Sequence, residues 1–327
     1  MSISDIDFFS PVKINNFLLQ LVKNILQKVA EKPQVFLAKT TRNGKDCLVI
    51  DLDSEDSFRR FAQLQFPGVK VYGEEGEQGE KQPEDLDLTN TDSICALVDM
   101  VDGTDLLERG MHNWCSSAVF FHPQLPSGSK IIAAFIAIPG SDIYIAAPRS
   151  PESIIVIPNP EVYFAEAGSP TFVVNVSQKI REAEGPAQVE LLDGSSVCFY
   201  GQKLNRLRST ANRPLFDDAS SKQNKNLRIY NLAGMPMIVR ILDPIKDVAG
   251  INAVFDCKGQ KPHDVVPGAF LAMQSKCAVL DGVTGKPMKM ETLENSLMRP
   301  FDNESKLKYV IASTNKLAST IWEQLQN

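Results

Sequence analysis

Apolar and polar residues follow two spacings along this chain, and each spacing predicts a different kind of element. From Phe8 to Ala30 apolar residues recur three and four positions apart, which predicts an amphipathic helix. A second helix is predicted to begin at Ser54, and a final helix is predicted over 317–325. Short continuous apolar runs bounded by glycine and proline predict buried strands. These runs fall at 47–50, 69–72, 94–98, 115–122, 131–138, 142–147, 154–157, 171–174, 251–255, 277–280 and 309–312.

The mixture of helices and strands throughout the chain predicts an α/β or α+β protein built in layers. Successive strand runs between residues 115 and 147 predict an antiparallel meander, and the polar residues 258–261 predict a turn. Composition changes near the Gly-Ser-Pro sequence at 168–170. This change predicts an N-terminal α+β domain over residues 1–168 and a C-terminal α/β domain over residues 169–327.

Composition narrows the class of protein. The 327 residues are 43% hydrophobic and 23% charged, which is ordinary for a globular protein. The net charge of −6 argues against a nucleic-acid polymer as partner, and neither a membrane-spanning run nor a signal-peptide pattern is found. Six scattered cysteines without a Cys-x-x-Cys pair are typical of reduced core residues. We therefore expect a cytoplasmic protein without a membrane partner, with a homodimer left open.

Candidate chemistry concentrates where the apolar run 94–98 ends. Asp99 and Asp102 follow that run three positions apart, and Gly103 and Thr104 come directly after them. Ligand sites of α/β sheets favour such strand ends, and a helix that begins at Thr104 would present backbone N–H groups to a phosphate. Asp-x-x-Asp-Gly is also a common turn sequence, so this stretch alone leaves a purely structural role open.

Other carboxylates also follow apolar segments or begin helices, namely Asp51, Glu74 and Asp264. Carboxylates that cluster from distant parts of a chain are costly unless a cation neutralises them. Because the candidate ligands are carboxylates, with few histidines among them, they favour Mg²⁺, Mn²⁺ or Ca²⁺ over Zn²⁺. Two such ions could activate a water molecule and hold a phosphate for in-line attack.

Three motifs carry these carboxylates: Gly-Glu-Glu at 73–75, Asp-Met-Val-Asp-Gly-Thr at 99–104 and His-Asp-Val-Val-Pro-Gly at 263–268. Together they resemble the signature of the inositol monophosphatase family, which belongs to a lithium-sensitive, Mg²⁺-dependent phosphatase superfamily with fructose-1,6-bisphosphatase and the 3′(2′),5′-bisphosphate nucleotidases. The motifs occur in the family's order and span most of the chain. The resemblance implies a layered αβαβα sandwich and a Mg²⁺-dependent phosphomonoesterase that acts on a small phosphorylated metabolite.

The resemblance also implies a metal site divided between the two predicted domains, with most ligands in the first and the last in the second. This site would bind two or three Mg²⁺ ions and make the enzyme sensitive to Li⁺. Its ligands would be Glu74, Asp99, the backbone carbonyl of Val101, Asp102 and Asp264.

Catalytic and substrate-binding roles follow from the same resemblance. Glu74 and Thr104 would orient and activate the attacking water, and Asp51 would be the peripheral acidic ligand, with Asp53 as the competing choice. The N–H groups of Gly103 and Thr104 would hold the phosphate, and Asp264 and Ala233 would contact the substrate. The substrate-binding set would be Gly103, Thr104, Asp264 and Ala233.

The chain departs from the family pattern at several positions. Met100, Leu107 and His263 stand where the family usually has Pro, Phe and Trp, and we expect His263 to pack beside the site. Asn-Leu-Ala at 231–233 replaces the family's Gly-Ser/Thr-Ala at the substrate. The substrate therefore stays open: a bisphosphate nucleotidase or a sugar bisphosphatase is one alternative, and a non-catalytic metal-binding or ligand-binding relative is another.

Two further stretches have competing interpretations. Residues 242–247, Leu-Asp-Pro-Ile-Lys-Asp, resemble the second motif but lack the Gly-Thr that follows it, so we expect a structural role. The basic residues between Lys203 and Arg213 are expected to form a solvated face, with a contact to a second phosphate or a nucleotide as the alternative.

Overall fold

The computed structural model describes residues 10–42, 45–76, 86–140, 143–147, 150–157, 160–175, 180–201, 203–232, 234–244 and 250–326. Ten α-helices lie within these ranges, and none of them is both long and apolar enough to cross a membrane. They are α1 (Pro11–Glu31), α2 (Pro33–Phe36), α3 (Val49–Gln65), α4 (Thr104–Leu107), α5 (Leu204–Ala211), α6 (Asp218–Gln223), α7 (Met235–Leu242), α8 (Pro262–Gln274), α9 (Met290–Met298) and α10 (Asn315–Gln324).

Sixteen strands lie within the same ranges. They are β1 (Lys39–Arg42), β2 (Lys45–Leu48), β3 (Lys70–Gly73), β4 (Cys95–Asp102), β5 (Cys115–Phe121), β6 (Ile131–Ile138), β7 (Ile143–Ala147), β8 (Ser150–Ile157), β9 (Glu161–Glu166), β10 (Phe172–Asn175), β11 (Ile180–Glu182), β12 (Ser196–Phe199), β13 (Arg228–Tyr230), β14 (Ala253–Gln260), β15 (Ala278–Asp281) and β16 (Leu307–Ala312).

The strands form two large sheets and two hairpins. The first sheet has the order β11-β10-β9-β6-β5-β4-β3, in which β3 and β4 are parallel and the other neighbours are antiparallel. The second sheet has the order β13-β12-β14-β16-β15, with β12 parallel to both of its neighbours. The predicted meander is confirmed for β5 and β6, whereas β7 pairs with β8 in a separate hairpin.

Successive side chains of a strand point to opposite faces of a sheet, and this alternation builds the layers. On β4, Ala96 and Val98 belong to the apolar core that α1 and α3 cover, whereas Leu97 faces a second core that contains α7 and α8. The second sheet contributes Val254 and Ile311 to that second core, and α10 covers its other face. The layers therefore run helix, sheet, helix, sheet, helix, which confirms the predicted αβαβα sandwich.

The predicted start of one helix and one predicted turn were wrong. Helix α3 begins at Val49 and not at Ser54, because the Asp51 carboxylate accepts the Leu48 N–H at 2.9 Å and so caps an earlier first turn. Residues 258–260 of the predicted turn are the end of β14, which continues past a register shift against β16, and Lys261 directly precedes α8.

The boundary between the two predicted domains crosses the first sheet. Strands β10 and β11 both follow residue 168, yet they extend the sheet that the N-terminal strands build. The division into residues 1–168 and 169–327 stays a prediction.

Candidate metal centre

A bulge at the end of β4 aims two carboxylates at one place. Residues three apart on a regular strand point to opposite faces, so Asp99 and Asp102 would separate. The pairing with β5 shifts between them, because Asp99 lies opposite Ser117 but Asp102 lies opposite Cys115. A bulge of this kind re-aims side chains, and it brings both carboxylates to the same side.

The third carboxylate comes from the first turn of α8. Asp264 is the third residue of this helix, which packs against β4 and β5. Carboxylate oxygens of Asp99, Asp102 and Asp264 all lie within 4.8 Å of one another. The structure therefore brings together three of the predicted metal ligands from two distant parts of the chain.

Electrostatics at these three carboxylates are unfavourable without a cation. Burial raises the pKa of Asp99 and of Asp102 well above the usual value, and the negative charges of their neighbours raise it further. Burial also raises the pKa of Asp264, although the electrostatic effect of the neighbouring His263 side chain opposes that shift. A divalent cation would remove the repulsion, and a set of carboxylate oxygens fits a hard ion such as Mg²⁺.

Glu74 lies beside this group and pairs with a lysine. It follows β3, and the ammonium group of Lys45 is 2.7 Å from its Oε1 and 3.1 Å from the Oε1 of Glu75. Burial works against the charged form of Glu74, but the electrostatic effects of the neighbouring His263 and Lys45 side chains outweigh it and lower its pKa. Among the described residues Glu74 is not part of the tight three-carboxylate group, yet its charge raises the pKa of Asp99 and Asp102.

Thr104 connects the carbonyl of Val101 to the peripheral carboxylate. Its Oγ1 is 2.8 Å from the Val101 carbonyl oxygen and 3.0 Å from Oδ1 of Asp51. Burial raises the pKa of Asp51 to about 7. Asp53 instead pairs with Lys28 at 2.5 Å, so the geometry favours Asp51 as the acidic residue beside Thr104.

Gly103 occupies a position that requires glycine. Its φ is +96°, and a Cβ at this position would lie 3.2 Å from the Asn113 carbonyl oxygen and from Cβ of Trp114. The glycine permits the sharp turn from β4 into α4, which begins at Thr104. Ala233, the remaining predicted substrate-binding residue, lies outside the described residues.

Sequence reasoning missed several contacts around the site. Lys45 lies in a stretch that gave no signal, and Cys115 donates its thiol to Oδ2 of Asp102 at 3.7 Å. Of the 242–247 motif, residues 245–247 lie outside the described residues. Its Asp243 pairs with Arg181 at 2.6 Å and accepts the hydroxyl of Tyr163, and the structural role of the whole motif stays a prediction. These contacts are formed by side chains far apart in sequence, so no local pattern reports them.

Comparison with solved structures identifies the architecture. The extragenic suppressor protein suhB from Bartonella henselae matches with a TM-score of 0.62 at 14% identity, over 96% of this chain and 97% of that one. The chain has the fold of the inositol monophosphatases. SaIMPase-II bound to 2′AMP matches this fold at a TM-score of 0.59 and 15% identity, over 95% and 91% of the two chains. The IMPase of Thermotoga maritima matches at 0.58 and 14%, over 95% of each.

Other proteins with the inositol monophosphatase fold were solved with ions. They include an IMPase family protein from Staphylococcus aureus with Ca²⁺, a staphylococcal inositol monophosphatase in an inhibitory complex with LiCl, and an IMPase/NADP phosphatase with Mg²⁺ and phosphate. No protein-family profile matches the chain, and no curated protein sequence matches it significantly.

Proposed function

We propose that the protein is a Mg²⁺-dependent phosphomonoesterase that hydrolyses a small phosphorylated metabolite. The observation that carries the proposal is the three-carboxylate group of Asp99, Asp102 and Asp264, whose oxygens lie within 4.8 Å of one another. Carboxylates this close together, of which Asp99 is buried and the other two are half-buried, are unfavourable unless a cation binds them. The inositol monophosphatase fold and its metal-bound neighbours support the same reading.

These residues would hold the ion together with Glu74 and the carbonyl of Val101. Bound Mg²⁺ would supply Lewis-acid stabilisation of the charge that develops on the phosphoryl group and on the leaving oxygen. Every donor in this set is an oxygen, which fits Mg²⁺ better than a softer ion.

The chain's own residues would position the water and the phosphate. Asp51 and the Val101 carbonyl restrict the direction of the Thr104 hydroxyl, since both oxygens lie within 3.0 Å of Oγ1. Thr104 and Glu74 would then align the attacking water, and the N–H groups of Gly103 and Thr104 would face the phosphate oxygens.

One observation favours a nucleotide as the substrate. The Arg206 guanidinium lies 4.7 Å from the centre of the Tyr200 ring and pairs with Asp256 at 3.0 Å. Burial raises the pKa of Tyr200 to about 12, and the negative charges of Asp102 and Asp264 contribute to the shift. An aromatic ring backed by a guanidinium group suits a nucleobase or a second phosphate. A bisphosphate nucleotidase is therefore the second candidate, and the 2′AMP bound by SaIMPase-II supports it.

A panel of phosphate esters tests the proposal. We would measure phosphate release from inositol 1-phosphate, fructose 1,6-bisphosphate, 2′-AMP and adenosine 3′,5′-bisphosphate, with Mg²⁺, with EDTA, and with Mg²⁺ plus Li⁺. Wild type should release phosphate from at least one ester only when Mg²⁺ is present, and Li⁺ should inhibit it. Removal of one charge-stabilising group costs about 10²–10³ in rate, so D99N should lose at least that factor.

The same panel separates the alternatives. Turnover confined to the adenosine esters would favour the nucleotidase. Mg²⁺ binding without release from any ester would support a non-catalytic relative and contradict the proposed activity. Equal activity of wild type and D99N would show that the three-carboxylate group is not the active centre.

A further inference from the structure

His263 is a buried polar side chain whose neighbour in sequence is a proposed metal ligand. It is the second residue of α8, directly before Asp264, and only 1% of its surface is exposed. Its Nε2 lies 3.2 Å from Oδ1 of Asp264. The other side of the ring packs near Phe301, with the two ring centres 6.1 Å apart.

Packing alone does not explain a histidine at this position. Its Nδ1 is buried and has no hydrogen-bond partner among the described residues, so the ring already leaves one polar atom unsatisfied. A buried polar group without a partner is destabilising, whereas an apolar ring would fill the same space without that cost. Among the residues that the structure describes, the polar contact of His263 is with Asp264, and this contact is what an apolar ring would lack.

His263 lies outside the group of direct ligands. The group of side-chain atoms that lie within 4.8 Å of one another consists of oxygens from three carboxylates and contains no nitrogen of His263. Residues around a metal site commonly hold its carboxylates by hydrogen bonds, and this orients the oxygen that binds the ion. The distance between Nε2 and the Asp264 carboxylate suits that role.

We propose that His263 is a positioning residue that donates its Nε2–H to Oδ1 of Asp264 and thereby turns the other carboxylate oxygen toward the cation. This inference rests on the proposed function, because it presumes that Asp264 binds a metal ion. It changes the expectation that His263 only packs beside the site.

Two polar variants that differ only in reach provide the test. The amide nitrogen of glutamine can take the place of Nε2, whereas the shorter side chain in H263N reaches only the place of Nδ1. We would measure Mg²⁺ affinity by isothermal titration calorimetry for wild type, H263Q, H263N and H263F. Loss of such an orienting partner costs about 10–100-fold in metal affinity. We expect that loss in H263N and H263F, and an affinity within about threefold of wild type in H263Q.

A packing control accompanies these variants. F301L loosens the surroundings of the ring without removing the donor, so its Mg²⁺ affinity should stay within about threefold of wild type. If a substrate has been found, the Mg²⁺ concentration for half-maximal rate should rise in H263N, while kcat recovers at saturating Mg²⁺.

Four outcomes would overturn the inference, and they are distinguishable. Wild-type affinity in H263N and H263F would show that the donor is unimportant. Equal losses in H263Q and H263N, or a similar loss in F301L, would assign His263 to packing alone. If H263F fails to fold, the comparison of H263Q with H263N still decides. Wild type that binds no Mg²⁺ at all would contradict the proposed function itself.

Discussion

The Thr104 hydroxyl has one proton and two acceptors within reach, Asp51 and the Val101 carbonyl. Asp51 is itself held, because its other oxygen accepts the Leu48 N–H at 2.9 Å. The carboxylate thus joins the first turn of α3 to the turn after β4. An amide at position 51 that accepts the Leu48 N–H would present its NH2 group to the Thr104 hydroxyl, which would then accept on that side and donate its proton to the Val101 carbonyl instead.

This arrangement distinguishes Asp51 from the nearby Asp53, which pairs with Lys28 on α1. We expect D51N to lower kcat/KM about 10–100-fold, the usual cost of disturbing a partner of a metal site. D53N breaks only a partly exposed ion pair, so its kcat/KM should stay within about twofold of wild type. Steady-state kinetics with the ester found in the panel would measure both. A larger loss in D53N than in D51N would reverse the assignment.

At the scale of elements, the apolar pattern predicted correctly those helices and strands whose structure depends on their own sequence. It predicted the long helix now seen as α1, and it placed β6 at 131–138, as observed. The pattern failed where the structure of a strand depends on the neighbouring strand with which it pairs. The bulge between Asp99 and Asp102 exists only in the pairing with β5, and the end of β14 depends on β16. The three sequence motifs contain the candidate site residues. That these residues lie close together was expected from the resemblance to the inositol monophosphatase family and not from their spacing in the sequence.

The turn that carries Glu74 depends on a glycine. A Cβ on Gly73 would lie 2.1 Å from Cδ of Glu55, a buried carboxylate that pairs with Arg59 at 2.5 Å and accepts the Glu75 N–H at 2.9 Å. No side chain fits there unless Glu55 or the turn moves.

We therefore expect G73A to destabilise the protein by about 1–3 kcal/mol, as overpacked sites do, and to lower activity because Glu74 is displaced. Urea unfolding and kinetics would measure the two effects. The matched control is the double variant G73A/E55A, in which the obstructing carboxylate is absent. Its destabilisation should be smaller than the sum of the two single variants by at least about 0.5 kcal/mol. Strict additivity would show that the two residues do not collide.

At the scale of the whole molecule, the site lies where the first sheet meets the helical layer between the sheets. Asp264 on α8 reaches the carboxylates at the end of β4, and burial raises the pKa of all three. A carboxyl group with a raised pKa in the folded state binds its proton more tightly than in the unfolded state. Its contribution to stability is therefore present at low pH and is lost as the pH rises through the folded pKa.

The metal-free protein should thus lose stability as the pH rises from about 4, the unfolded pKa of a carboxyl group, to 7 and above. Asp51, with its pKa raised to about 7, adds to the same trend. Thermal unfolding in EDTA at pH 5 to 8 would measure it, and D102N isolates one contribution. We expect the melting temperature of D102N to exceed that of wild type at pH 8 by roughly 2–4 °C for each kcal/mol of repulsion removed, and to approach it at pH 5.

The most direct test of the central claim is the melting temperature at pH 8 with and without Mg²⁺. A ligand that binds only the folded state at 100 times its Kd stabilises by about 2.7 kcal/mol, so Mg²⁺ should raise the melting temperature of wild type clearly. D102N should show almost no rise, whereas D105N, which removes the same charge from an exposed neighbouring position, should respond like wild type. An equal Mg²⁺ response in D102N and D105N would contradict a cation site built from Asp99, Asp102 and Asp264.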